Sequence, residues 1–323
     1  MTSLGKFEQG LAAVASREYL SPLRYPGGKR RLVAEVGRRL DRAGVFHVDR
    51  ILEPFVGGGA TFLSFLEAGL ADEAVINDID PLVSDFWRTV FSDGVPRGAE
   101  RLADRILDTK PTLDEWRRLK DSDPLDPFDR AFKCLFLNRT SFSGALHVQA
   151  GPLGGYRQES LYKIDCRYNA EKLASRLWAL SRLEQRVRVR NWDFRKFIGY
   201  FRPAHQRRSD NHFTPFWYLD PPFFHKAEKL YRFSFKENDH SSLARGLDAL
   251  DGLWLLSYDQ CPEARALFES HPGRSAVDMQ YTAAGSGRVQ KISASELIVS
   301  NLESRARQPL EHRNVEDRAR ISA

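Results

Sequence analysis

Residues 50 to 60, RILEPFVGGGA, run from a short apolar stretch through a proline into three consecutive glycines and then into the helical pattern ATFLSFLE. This is a strand-to-helix turn, and it constrains the chain more than any other segment. Glycines at such a turn permit positive φ and let a ligand approach the backbone and the helix N-terminus closely. A strand is predicted over residues 50–55 and a second over 74–78 (AVIND), each followed by a turn and a helical pattern. The chain therefore starts as a βαβα unit.

Strand signals resume at residues 186–191, 216–220, 253–258, 275–282 and 296–300, with helical segments such as 239–250 and 262–270 between most of them. Strands alternating with helices predict an α/β fold with a doubly wound sheet. No helix separates the last two strands, so they are expected to pair antiparallel at one edge. Between the two sets lies a different pattern: polar helices (AERLADRILDTK, LDEWRRLKD), then a stretch punctuated by Gly144, Gly151, Gly154 and Gly155. We expect a discontinuous body over residues 1–94 and 185–301, a mainly helical insertion over 95–184, and a flexible tail over 302–323, where five Arg and four acids accompany few large apolar residues. There is no internal repeat.

At 42% hydrophobic and 28% charged residues, with a mean hydropathy of -0.47, the chain can bury a core and is not disordered as a whole. No apolar run approaches the roughly 20 residues of a membrane span. The N-terminus lacks the basic, apolar and cleavage segments of a secretion signal, so a cytoplasmic protein is expected. Cys134, Cys166 and Cys261 are widely spaced and fit neither a disulfide framework nor a zinc site. His205 and His212 match no standard ligand pair, and no metal is expected.

The net charge of +6 is local: residues 130–190 hold 12 Lys and Arg against 4 Asp and Glu, a net +8. Aromatic residues from Phe132 to Trp178 interleave with these cations. That composition suits a surface meeting polyphosphate and stacking on bases, and it equally suits a solvated helical face.

Three motifs carry chemistry. In Glu53-Pro54-Phe55-Val56-Gly57-Gly58-Gly59 an acid precedes the glycines; it would repel a pyrophosphate but could accept hydrogen bonds from an ammonium group. The turn also lacks the lysine of a phosphate-binding loop, although a plain tight turn would read the same. Asp78 stands 19 residues beyond Gly59, an offset at which carboxylates bind ribose hydroxyls, or else cap a helix. Together they favour a nucleoside with a positively charged amino-acid end, a description S-adenosylmethionine fits. The third motif, Asp220-Pro221-Pro222-Phe223, sets a carboxylate, a fixed carbonyl and an aromatic ring at a strand exit. An amino group conjugated to a base needs two acceptors to draw its lone pair out of the ring, and a ring to stack on the base once it leaves the helix.

With these residues the chain resembles the Dam-type DNA N6-adenine methyltransferases. The resemblance runs over most of residues 21–301, through SPLRYPGGKRRL, EPFVGGGATFL, IND, LNRTSFSG, NWDF, YLDPPF, NDH, LLSYDQCPE and SELIVSN in order. It implies a Rossmann-like methyltransferase sheet carrying a target-recognition insertion. It also implies that Tyr25 and Lys29 lie against the cofactor, Lys29 near the chemistry. Glu53, Pro54, Phe55, Gly57 and Gly59 would hold the methionine end, Asp78 the ribose, and Asp193 and Phe194 the cofactor's adenine. Asp220, Pro221, Pro222 and Phe223 would hold the target adenine. Asn138, Arg139 and Gly144 fall in the family's DNA-reading hairpin, with His147 a few residues on. From the local positive charge, Lys133 is the candidate phosphate contact and Arg139 or His147 the candidate base readers, with Arg139 merely bracing the hairpin as the alternative. Two positions depart from the pattern. Phe223 stands where the family usually has Tyr, and His147 where GATC-reading relatives place an Arg, so GATC specificity does not carry over.

The expected activity is S-adenosylmethionine-dependent, site-specific methylation of adenine N6 in double-stranded DNA by a monomer, with a restriction or defence system as a candidate partner. Cytosine N4, an RNA adenine, and an inactive DNA-binding relative are the alternatives. Cytosine-N4 enzymes more often carry Ser where this chain has Asp220.

Overall fold

The computed structural model describes residues 5–15, 21–24, 30–202, 215–225, 231–250, 252–285 and 288–303. Helices α1 (Lys6–Ala15) and α2 (Arg30–Arg42) precede β1 (Val48–Glu53), α3 (Ala60–Glu67), β2 (Ala71–Asn77) and α4 (Pro81–Val90). Four helices follow: α5 (Gly98–Asp108), α6 (Leu113–Asp121), α7 (Pro127–Thr140) and α8 (Ala170–Ser181). Then come β3 (Val187–Arg190), α9 (Phe194–Phe201), β4 (Pro215–Leu219), α10 (Glu237–Leu247), β5 (Leu253–Asp259), α11 (Pro262–Leu267), β6 (Arg274–Gly285) and β7 (Arg288–Ser300).

The seven strands lie in the order β3-β2-β1-β4-β5-β7-β6. The first five are mutually parallel, and β7 enters between β5 and β6, antiparallel to both. The α/β sheet with an antiparallel pair at its edge is thus the one expected. Its last hairpin is longer than the apolar pattern suggested, because residues 274–285 pair with 288–299 across polar sequence. β1 is shorter at its end: Pro54 has no N–H to continue a ladder, so the strand stops at Glu53.

Several helices start by one local device. Asp80-Pro81, Asp126-Pro127 and Cys261-Pro262 each place a capping side chain before a proline at the first helical position, where the missing N–H costs nothing.

Side chains leave each strand alternately to two cores. Ile51, Phe216, Tyr218, Leu253 and Leu255 join one, while Leu52, Trp217, Leu219, Trp254 and Leu256 join the other. Helices α9, α10 and α11 cover the second face, as the buried Phe197, Leu243 and Ala264 record. The first face carries α1 to α4, and the same cluster continues into Ile106 of α5, Phe132 and Phe136 of α7, and Leu173 and Leu177 of α8. Residues of the segment expected as an insertion therefore share a core with the sheet. Past residue 301, Leu302 is buried and Glu303 pairs with Arg39 at 2.6 Å, so the ordered body extends slightly into the expected tail. The rest of that tail, 304–323, lies outside the described residues.

Candidate functional site

The ends of β1, β2 and β4 open on a cleft of about 200 Å³, where the strand order reverses between β1 and β4. Open α/β sheets take their ligands at this position. Eleven of the sequence-predicted residues line it: Glu53, Pro54, Phe55, Gly57, Gly59 and Asp78, then Asp193, Phe194, Asp220, Pro221 and Pro222.

The glycine turn is fixed by close packing and by β2. Gly57 and Gly59 both take positive φ, and a Cβ on Gly59 would stand 2.5 Å from the Phe62 ring and 2.8 Å from that of Trp87. The Trp87 indole donates to the Gly57 carbonyl at 2.9 Å. Asp78 accepts from the Gly57 and Asp80 amides, each at 3.0 Å, so its carboxylate ties the turn to the end of β2. Asn77 donates to the Pro54 and Trp192 carbonyls and accepts from the Trp192 amide, which joins the ends of β1 and β3. Asp80, not Asp78, caps α4.

Glu53 is buried at the floor of the cleft, and among the described residues its Oε1 has no hydrogen-bond partner. Burial, with a smaller contribution from Asp220, holds its carboxyl well above the usual range. Burial and the neighbouring Asp80 push Asp78 up to about 7. Two costly carboxyls thus face one cleft.

Phe194 is buried in an aromatic group, its centroid 5.7 Å from Phe55 and 4.9 Å from Phe235. Asp193 is exposed; it caps α9 through the Arg195 amide at 2.8 Å and pairs with the Arg195 guanidinium. The tetrapeptide at the end of β4 divides. Asp220, Pro221 and Pro222 line the cleft, but Phe223 does not; its ring meets that of Tyr231, 6.1 Å away, which does.

The insertion residues occupy positions other than those expected. Asn138 and Arg139 belong to the last turn of α7, and the hairpin begins only at Ser141, closed by a bridge to Pro152. Asn138 is buried, clamping the Arg24 backbone at 2.7 Å through both its amide atoms and donating to Gly144 O at 2.8 Å. Arg139 is also buried, donating from Nε to Pro22 O at 2.6 Å. Gly144 takes positive φ with its Cα against Arg24 O, where a Cβ would come within 2.5 Å. Lys133 turns inward to the Ser122 and Lys120 carbonyls. Through these contacts the four positions brace the hairpin against residues 22–24 and the α6–α7 turn, the alternative already open for Arg139. His147 is part-exposed, and Phe142 and Val148 project from the hairpin at 63% and 72% exposure. Tyr25 and Lys29, like His205 and His212, lie outside the described residues.

Residues without a sequence-assigned role also enter the site. Ser257, buried in β5, donates to Asp220 Oδ1 at 3.1 Å and lies 3.4 Å from the Tyr218 hydroxyl. Tyr231 to Phe235 also line the cleft, anchored by Arg232 to Asp80 at 2.7 Å. A serine within the apolar run LWLLSYD was the one available signal for the first; nothing local marks the second. Cys261 is buried and caps α11, and its sulfur lies within 4.8 Å of donor atoms of His225 and Glu263, themselves paired at 3.2 Å.

The sequence profile of the family described as D12 class N6 adenine-specific DNA methyltransferase matches residues 25–283. The chain is 24% identical over 251 residues to the Type II methyltransferase M.MjaIII of Methanocaldococcus jannaschii, covering 71% of this chain and 79% of that protein. It is 26% identical over 162 residues to the DNA adenine methylase of Haemophilus influenzae, covering 47% of this chain and 53% of that one. Among solved structures, the rRNA methyltransferase aviRa from Streptomyces viridochromogenes is similar at a TM-score of 0.40 and 15% identity, over 91% of this chain and 92% of that one.

Proposed function

The chain belongs to the D12 class of N6 adenine-specific DNA methyltransferases, and from that premise we propose that it takes its methyl group from S-adenosylmethionine and places it on adenine N6 at one specific sequence in double-stranded DNA. The observation that carries the cofactor reading is the buried Oε1 of Glu53, without a partner among the described residues, in the cleft that Asp78 also lines. An ammonium group would satisfy the first and ribose hydroxyls the second, so the residues present fit this cofactor. When bound, it supplies a methyl group activated by a positively charged sulfur.

The chain's own residues do the rest. Ser257 orients the Asp220 carboxylate, which accepts from the target amino group together with the Pro221 carbonyl. Both acceptors favour a tetrahedral nitrogen whose lone pair has left the ring. Catalysis then comes from positioning and preorganised charge. We take residues 95–184 as the target-recognition region, with the hairpin residues Phe142, His147 and Val148 presented to DNA. The likeness to a Type II methyltransferase supports a restriction-modification setting. No helix among the described residues is long and apolar enough to cross a membrane.

Single-molecule sequencing of DNA from a methylation-free host expressing the chain tests this reading. N6-methyladenine at one recurring motif is expected; unmodified DNA, or modified cytosine, would overturn it. In the same assay Arg139→Ala should leave the motif unchanged while lowering stability by roughly 1–3 kcal/mol, because its side chain holds a buried backbone carbonyl. A changed motif would return Arg139 to base reading.

Asp78 carries a pH signature. Its folded pKa of about 7 lies above the ordinary 3.8, so the fold favours the protonated form. Cofactor-free stability should therefore be fullest below about pH 4 and decline as pH rises to about 7. Cofactor affinity should tighten over the same window, as the ionised carboxylate becomes the better acceptor. Asp78→Asn should make both dependences shallower, leaving the contribution of Glu53, and weaken cofactor binding by roughly 1–3 kcal/mol. Thermal midpoints and calorimetric titrations across pH 4–8 check this, and coincident profiles for the two proteins would remove Asp78 from the site.

A further inference from the structure

The departure at Phe223 leaves the tetrapeptide without a hydroxyl, and a different tyrosine stands beside it. Tyr231 lines the cleft that Asp220, Pro221 and Pro222 line, and its ring centroid is 6.1 Å from that of Phe223 with the planes 54° apart. Two rings so close and so inclined cannot sandwich a base, which needs about 7 Å between parallel faces. They form two walls of a corner instead. The wall is fixed at both ends: Arg232 is bound to Asp80 at 2.7 Å, and Phe235 is wedged against Phe55 and Phe194 at 5.5 and 4.9 Å.

Resting on the adenine-methyltransferase reading above, we infer that Tyr231 contacts the flipped target base, its hydroxyl donating a hydrogen bond to a ring nitrogen next to the amino group. The chemistry of the base calls for such a donor. Asp220 and the Pro221 carbonyl offer only acceptors, which match the two N–H bonds of the amino group, whereas N1 and N7 of adenine are acceptors stripped of water once the base enters the cleft. Burial and the Asp220 carboxylate push the Tyr231 phenol above its ordinary range, so it stays a protonated donor through neutral pH. Asp220 then reads the amino group while Tyr231 reads the ring beside it, and a base with a ring N–H there is rejected.

The test pairs Tyr231→Phe with atoms deleted from the DNA. Wild type and variant are assayed by tritium transfer on duplexes carrying the methylated motif with adenine, 1-deazaadenine or 7-deazaadenine at the target. The variant should lose roughly tenfold in kcat/KM on adenine, with cofactor affinity and thermal midpoint unchanged. One deaza base should slow wild type by a similar factor yet slow the variant no further, since the contact is already gone. Variant turnover equal to wild type, or losses that multiply in full for both deaza bases, would overturn the contact alone. Absence of methyl transfer to DNA by wild type would overturn the enzymatic reading and the contact with it.

Discussion

Asp220→Ala is expected to abolish methyl transfer, with kcat falling by at least about a thousandfold, while cofactor affinity is kept. The carboxylate stands one residue beyond the end of β4, at the centre of the sheet, and Ser257 fixes it from the neighbouring strand. Asp220→Asn should lose less, about a hundredfold, because the amide keeps one acceptor oxygen but turns N–H groups toward the base. Ser257→Ala should lose less again, since it only loosens an acceptor that remains. The cofactor end should not suffer. Asp220 is one of the groups raising the Glu53 carboxyl, so its removal makes Glu53 easier to ionise. Tritium transfer measured beside calorimetric titration checks both halves, and an alanine variant with wild-type turnover would sink the assignment.

Glu53→Ala is expected to weaken S-adenosylmethionine binding by about 2–3 kcal/mol, the loss for a buried charged partner. Without the cofactor its sign on stability is reversed. A carboxyl whose folded pKa is raised contributes least once pH has risen past that value, so wild type should lose more stability above the ordinary 4.5 than the variant, which keeps only the Asp78 contribution. Binding of an ammonium group would ionise Glu53, so association should release protons, visible as a dependence of the calorimetric enthalpy on buffer. Glu53→Gln should abolish that release while preserving the shape of the turn. A variant that binds the cofactor as wild type does would leave the unpartnered oxygen without this explanation.

These two acids were legible in the sequence for a local reason. Each lies at or one residue past a strand end, and a short apolar run followed by proline or glycine announces such an end without reference to the rest of the chain. The same holds for Gly57, Gly59 and Asp78, and for the alternation that gives the sheet its two cores. The order of the motifs then fixed the family.

Packing decided the rest. Asn138 and Arg139 sit among cations and aromatics that read as a DNA face, yet they spend their polar atoms on residues 22–24, more than a hundred positions away. Lys133 is likewise absorbed by the carbonyls of Lys120 and Ser122. Composition can report that a segment is basic, but which cations meet solvent depends on which backbone groups the fold leaves unsatisfied nearby. Ser257 reaches Asp220 because β5 pairs with β4 in parallel, and Tyr231 enters the site because Arg232 is held by Asp80 from another strand end. No periodicity within either segment encodes those partners, since hydrogen bonds and ion pairs between distant positions exist only after the sheet has set its strand order. The sequence by itself determined the strand ends, the turn and the acids they carry; the tertiary structure alone decided which neighbours orient those acids, and which charges of residues 95–184 are spent on the fold.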